Sequence, residues 1–325
     1  MGFISYFRHY LMETDFAHEP DIKQHLKAKP NMYEQVYSAT QIQGDLAFLK
    51  YAIKKNQVQL RPTTGLQKLI DDCETYLPLK QVKPEEIKPI TVLFTLVNSL
   101  KKLWLESVDF TIQLRAMNTG EYEYGNPDPE LKHFFKDFEF EIFSASQLIK
   151  NKINIDLPQH TIGEDLQFGD IDIQCKHPNT VNQIDTNVRE FTTRLNQANR
   201  YGVFGLAVDD CFSFADRLIF KDDEDFENYM KKKLSDSEAI LNGIFTQNLS
   251  RATRILGLYT TSTYFVLIDN QGLKLVRTTN SVFCFRPDRR EITDAFYKQA
   301  FRILTTFNPH PTWLTIENQT LQAIN

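Results

Sequence analysis

The chain has 325 residues, 42% of them hydrophobic, which is enough for two domains and a sizeable core. Its formal net charge of −5 excludes a globally basic nucleic-acid-coating protein, while leaving room for a local basic groove. Four scattered cysteines without a Cys-x-x-Cys pair, and seven histidines without a His-x-x-x-His arrangement, argue against a disulfide framework or a zinc site. Reduced, cytoplasmic thiols fit better. No stretch approaches the roughly 18 consecutive apolar residues of a membrane span, so no membrane partner is expected.

From the start to about residue 125 the apolar spacing predicts helices. The clearest runs from Pro84 to Glu106: Pro84, Glu85 and Glu86 suit the positive helix end, and Ile87, Ile90, Phe94, Val97, Leu100 and Trp104 form one face. Weaker patterns cover Gln41 to Lys55 and Thr64 to Tyr76. The basic pairs Lys54-Lys55 and Lys101-Lys102 read as solvated surface before they read as phosphate contacts. Residues 118–129 contain Gly120, Gly125, Pro127 and Pro129, which break helix and strand alike and mark a linker. The expected division is a mainly helical region over 1–125 and an α/β domain over 126–325.

The densest chemistry lies between Phe134 and Lys176. A helix carrying Glu139 and Glu141 is expected first, with Phe134, Phe138, Ile142, Ala145, Leu148 and Ile149 at helical spacing. The alternating segment Ile153 to Leu157 then predicts a strand. Asp165 to Phe168, a Gly169-Asp170 turn and Ile171 to Lys176 predict a tight hairpin. Because alternate strand residues point to opposite faces, Asp172, Gln174 and Lys176 share one face, and Ile171, Ile173 and Cys175 share the apolar other. By itself such a strand reads as an edge with a solvated polar face. An acid opening the preceding strand, a lysine ending the polar face and an acidic helix upstream favour a site. Carboxylates and an amide oxygen are hard donors of the kind Mg²⁺ takes, and an ammonium beside them suits phosphodiester hydrolysis.

After Lys176, His177-Pro178-Asn179 stops the strand, since proline cannot donate to a sheet ladder. A helix is expected from Val181 to Arg200, with Ile184, Val188, Phe191, Leu195 and Ala198 on one stripe, Arg189, Arg194 and Arg200 elsewhere, and Gly202 closing it. Val203 to Asp209 then reads as a strand buried on both faces.

Further on, Lys221 to Lys233 mixes acids and lysines and reads as a surface helix with i,i+4 pairs before it reads as a DNA contact. Helix is expected over Ser235 to Leu249. Strands are expected at Ile255 to Thr260, Tyr264 to Asp269 and Leu273 to Thr278, with Asn270-Gln271-Gly272 as a hairpin turn and Val282 to Phe285 as a further strand. Arg286, Arg289 and Arg290 are phosphate candidates, with Asp288 and Glu291 as the less demanding partners. A closing helix from Ile292 to Leu304 presents Phe296, Ala300 and Phe301 inward.

The stretch from 130 to 210 resembles the PD-(D/E)XK, or restriction-endonuclease-like, nucleases. That family's pattern is a helical Glu, a strand, an Asp opening a hairpin, and (Glu/Asp/Gln)-x-Lys on the next strand. Glu141 matches the helical acid, with Glu139 a close second. Asp165 looks like the Asp of the motif, and Gln174-Cys175-Lys176 like its final triplet. Asp170 and Asp172 are rivals for the Asp, and Asp156 a remoter one. No Pro precedes Asp165, and Gln174 stands where the family usually has an acid.

The resemblance implies an αβββαβ core, a central mixed sheet flanked by helices, with the amino-terminal helical region and a C-terminal β-hairpin extension around it. It also implies a Mg²⁺- or Mn²⁺-dependent endonuclease acting on DNA, or on RNA. Glu141, Asp165, Gln174 and Asp172 would be metal ligands, and Lys176 would assist water or phosphate. Nucleic acid is the implied partner, and a homodimer is compatible. Gln174 and the acidic balance motivate the alternative, a catalytically inactive nuclease-like fold that binds nucleic acid or protein.

Overall fold

The computed structural model describes residues 33–37, 39–76, 88–122, 134–157, 165–212, 219–222, 224–229, 231–233, 235–236, 254–268, 272–283, 294–307 and 312–316. Its elements are, in order, β1 Tyr33–Tyr37, α1 Ala39–Lys55, α2 Gly65–Tyr76, α3 Lys88–Leu105, α4 Thr111–Ala116, α5 Phe134–Lys150, β2 Leu166–Phe168 and β3 Ile171–Lys176. They continue with α6 Val181–Ala198, β4 Tyr201–Ala207, β5 Ile219–Phe220, β6 Ile255–Ile268, β7 Gly272–Phe283, α7 Asp294–Thr306 and β8 Thr312–Ile316.

The chain is an α/β protein built on one mixed sheet. Among the described residues eight strands join in the order β1-β8-β7-β6-β4-β3-β2, with β5 beside β6. The ladders β3/β4 and β4/β6 are parallel, while β2/β3, β6/β7 and β7/β8 are antiparallel. A parallel pair needs a long crossover, and α6 supplies it between β3 and β4.

Alternation along the strands separates two apolar cores. On one face Ile171, Ile173, Cys175, Tyr201 and Val203 pack with α5, with the helices before it, with Ala300, Ile303 and Leu304 of α7, and with Phe307 just after it. On the other, Phe204, Leu206, Leu258 and Ile255 pack with Ile184, Val188, Phe191 and Leu195 of α6. The expected α6 stripe is thus buried, apart from Ala198, which is exposed. Burial of each such large apolar side chain contributes on the order of 2 kcal/mol. One continuous core reaches from Ile42 in α1 to Phe307, so the amino-terminal helices and α5 share their packing.

Several boundaries differ from the sequence expectation. Residues 153–157 form no strand: Ile153, Ile155 and Leu157 are buried as their alternation implied, but only Asp156 bridges, exchanging hydrogen bonds with Gln167 at 2.9 and 3.0 Å. That bridge falls on the middle residue of β2. Helix α6 ends at Asn199, in the left-handed conformation with φ of 54°, and Gly202 lies inside β4. Asparagine tolerates that conformation. Gly202 answers a different need, since a Cβ there would run into the Phe191 ring.

The strands expected at Ile255 to Thr260 and Tyr264 to Asp269 are one, β6, and Val282 and Phe283 belong to β7, while Cys284 and Phe285 lie outside the described residues. Strands β1, β5 and β8 have no counterpart in the sequence expectation. Helix α3 is described from Lys88. The linker after Tyr122, most of Ser235 to Leu249, and Arg286, Arg289 and Arg290 lie outside the described residues. Within Lys221 to Lys233, Lys231 pairs with Glu227 at 3.7 Å in the i,i+4 manner. Among the described residues no helix is long and apolar enough to cross a membrane.

Candidate active site

Helix α5 carries an unusual load of buried polar groups: Lys136, Glu139, Glu141, Ser144 and Ser146 all lie in the interior. One of them ties the helix to the sheet. The Tyr259 hydroxyl of β6 donates to Ser144 Oγ at 2.9 Å and lies 3.2 Å from Cys175 Sγ of β3. Glu141 sits one turn before Ser144, so this bridge sets its height relative to β3.

The β2–β3 hairpin forms where alternation and the Gly169-Asp170 turn require it, with Gly169 at φ of 56°. Asp165 precedes β2 and faces Gln174 across the ladder. Its backbone N–H donates to Ile173 O at 3.2 Å, and its Oδ2 accepts from Cys175 N at 2.6 Å and from Gln174 Nε2. Arg194 of α6 completes the chain by donating from Nη2 to Gln174 Oε1. Gln174, only 3% exposed, therefore shows its NH₂ to the carboxylate and its oxygen to the guanidinium.

Glu141, 5% exposed, accepts from Gln113 Nε2 of α4 at 2.7 Å. Burial raises its pKa well above the usual carboxylate range, and the charge of Asp165 raises it further, against the Gln113 bond and the charge of Lys176. Asp165 is pushed up to about 6 by burial, against Lys176, the Cys175 N–H and Arg194. Both carboxyls also feel Asp137, one turn before Glu141, whose Oδ1 accepts from His177 N at 3.3 Å. Two acids and one lysine from three separate elements thus act on one another electrostatically.

The other candidates fall elsewhere. Glu139, two residues from Glu141, points roughly 200° around the helix, so the two cannot both face Asp165. Asp172 shares the face of Gln174 as alternation implied. That face is covered and not solvated: Asp172 is 4% exposed and its Oδ1 accepts from Arg200 Nε at 2.7 Å. It is not brought into the cluster. Asp170 is exposed at the hairpin tip, roughly 20 Å of strand from Lys176. Asp156 is exposed and held only by its bridge to Gln167.

Three participants escaped the sequence reading. Asp137 had a signal, the i,i+4 spacing to Glu141. Arg194 was visible as a cation off the apolar stripe of α6, and Gln113 had no signal, since it lies in a short helix that reads as packing.

Beside this cluster lies a second buried network. Lys136 Nζ is 2.9 Å from Asp210 Oδ2, both side chains being fully excluded from solvent. His177 Nε2 lies 3.4 Å from Asp210 Oδ2 and 3.8 Å from Asp209 Oδ2. Burial disfavours the imidazolium, yet Asp210 and Asp209 outweigh it and raise the His177 pKa. Burial alone would raise Asp210, but His177 and Lys136 hold it well below its ordinary value.

The donor set fits a hard divalent cation in its chemistry. Glu141 and Asp165 repel each other in a desolvated place, and the amide oxygen of Gln113 is buried without a hydrogen-bond partner. Among the described residues no three Asp, Glu, His or Cys side chains come together as a metal site. The set here is two carboxylates and one amide, a number of protein ligands that Mg²⁺ accepts because it keeps several waters. Cys73, Cys175 and Cys211 are free thiols, and burial raises the pKa of each. Comparisons of the chain with protein-family models, with curated proteins and with solved structures returned no match.

Proposed function

We propose that the chain is a Mg²⁺- or Mn²⁺-dependent nuclease of the PD-(D/E)XK type, cleaving phosphodiester bonds in DNA or RNA. The single observation that carries this reading is that Asp165 is hydrogen-bonded to Gln174 and to the Cys175 N–H of the final triplet, with Glu141 and Lys176 close enough for the buried charges to act on one another. The order of elements supports it in part: helix, hairpin, crossover helix and parallel strand follow one another, with a single bridge at Asp156 where that family's core has its first strand.

In this reading Glu141, Asp165 and the Gln174 amide oxygen would hold the metal, which when bound would lower the pKa of an attacking water and offset charge on the phosphate. Lys176, half-buried at the strand end, acts electrostatically on both carboxylates and would stabilise negative charge developing on the phosphate. Asp165 is oriented by the Cys175 N–H, and Glu141 by Gln113.

The test is cleavage of plasmid, single-stranded DNA and RNA by the purified full chain with Mg²⁺ or Mn²⁺. Asp165→Ala and Lys176→Ala should each lower the rate by at least about 100-fold, the scale of losing one charged catalytic group. If no nucleic acid is cut, or both variants cut normally, the reading is wrong.

A second reading, a binding module without chemistry, is favoured by one feature: both ends of the Gln174 amide are already engaged. Such a module would bind Mn²⁺ no better than its Asp165→Ala variant.

A further inference from the structure

The orientation of the Gln174 amide has a consequence for how the site takes a cation, and the inference rests on the nuclease reading above. A metal ligand must present oxygen, yet here Gln174 Nε2 donates to Asp165 Oδ2 while Oε1 accepts from Arg194 Nη2. The amide is thus turned the wrong way round for a cation shared with Asp165. Arg194 holds it so. Its guanidinium carbon lies 5.4 Å from the Phe191 ring centroid, which braces the arm, and Phe191 and Leu195 anchor that turn of α6 in the core. The same guanidinium supplies part of the positive charge that acts on Asp165.

We propose that Arg194 is a latch: a resident counter-cation that fixes Gln174 in its metal-unready orientation and must let go before a divalent cation can use the amide oxygen. For the metal to bind, the Arg194–Gln174 and Gln174–Asp165 hydrogen bonds both break and the amide turns end for end. A carboxylate in place of Gln174 would need no such turn, because either of its oxygens can face a cation. The latch is therefore particular to an amide at this position. It makes cation entry compete with an internal charge-assisted hydrogen bond, a strong class of such bonds.

The experiment is a calorimetric Mn²⁺ titration of the full chain, without nucleic acid, for wild type, Arg194→Ala and Arg194→Lys. Arg194→Ala should lower the Mn²⁺ Kd about tenfold, the order expected for removing one charge-assisted hydrogen bond. Arg194→Lys keeps the charge but loses the planar fork, and should fall between. Far-ultraviolet circular dichroism checks folding, and Arg194→Gln carries the test if the alanine variant does not fold. An unchanged or weaker affinity in the alanine variant, or no Mn²⁺ binding by any form, overturns the proposal.

Cleavage is read separately. A chain that cuts DNA through Lys176, yet binds Mn²⁺ no tighter after Arg194→Ala, keeps the nuclease and loses the latch. One that binds Mn²⁺ tighter but cuts nothing keeps the latch and loses the nuclease.

Discussion

Lys136 and Asp210 form an ion pair of 2.9 Å from which water is wholly excluded, joining the first turn of α5 to the turn just after β4. Because α5 also carries Glu141, and β4 is paired with the strand that carries Lys176, this contact pins together the two elements of the candidate site. A buried charge whose partner is removed has no water to turn to. Asp210→Asn or Lys136→Met should therefore each destabilise the fold by about 3–5 kcal/mol, measured by urea unfolding at pH 7. A change below about 1 kcal/mol in both would mean that the pair is not buried in solution.

His177 in the same network predicts a pH dependence. Its folded pKa is raised, so its contribution to stability is fully present below its unfolded value of about 6.5 and is lost as pH rises through the folded value. Asp210, held low, contributes the opposite way: its stabilisation is present above about pH 4 and fades as the solution becomes strongly acidic. Urea unfolding from pH 6 to 9 should show stability falling on the alkaline side, and His177→Gln should flatten that slope. An equal slope in the variant would remove His177 as its source.

Glu141 carries a cost that the metal-free chain bears. A carboxyl whose folded pKa is raised destabilises the fold once pH exceeds its unfolded value of about 4.3. Glu141→Gln removes that charge and offers an NH₂ group to the buried amide oxygen of Gln113. The variant should be more stable than wild type by about 1–2 kcal/mol at pH 8, with the gain shrinking toward pH 4, and should lose Mn²⁺-dependent cleavage. Thermal unfolding at the two pH values decides it, and a variant less stable at pH 8 contradicts the account.

Protons should compete with the metal. With Asp165 near 6, that carboxyl is partly protonated in mildly acidic solution, and the raised Glu141 carboxyl also holds its proton more tightly than usual. Mn²⁺ affinity should climb steeply between pH 5 and 7 and continue to rise until Glu141 is ionised. A flat profile from pH 5 to 8 would show that these carboxyls are not the ligands.

What could be read from residue order alone was local. Period-two alternation from Ile171 to Lys176 sorted the faces of β3, and a Gly-Asp pair placed the hairpin, because both depend on neighbours in the chain. The stripe Ile184, Val188, Phe191 and Leu195 did the same for α6. The sites of failure were those where a distant element decided the outcome. The segment 153–157 alternates like a strand and buries its apolar residues, but it meets the sheet at one bridge, Asp156 to Gln167. Gly202 looked like a helix cap and is instead the space into which Phe191 packs.

The motif acids and Lys176 were legible because their types and spacing are chemical in themselves. The sequence by itself determined an α/β chain with a buried parallel strand after a crossover helix, and it singled out Glu141, Asp165, Gln174 and Lys176 as a candidate set. Only the tertiary structure decided that Asp172 goes to Arg200, that Gln113 reaches Glu141 from a helix read as mere packing, and that Arg194 holds the Gln174 amide. The physical reason is range. Periodicity reports which face a side chain takes, whereas the partner of a buried charge is whichever group the folding of remote segments brings within a few ångströms of it.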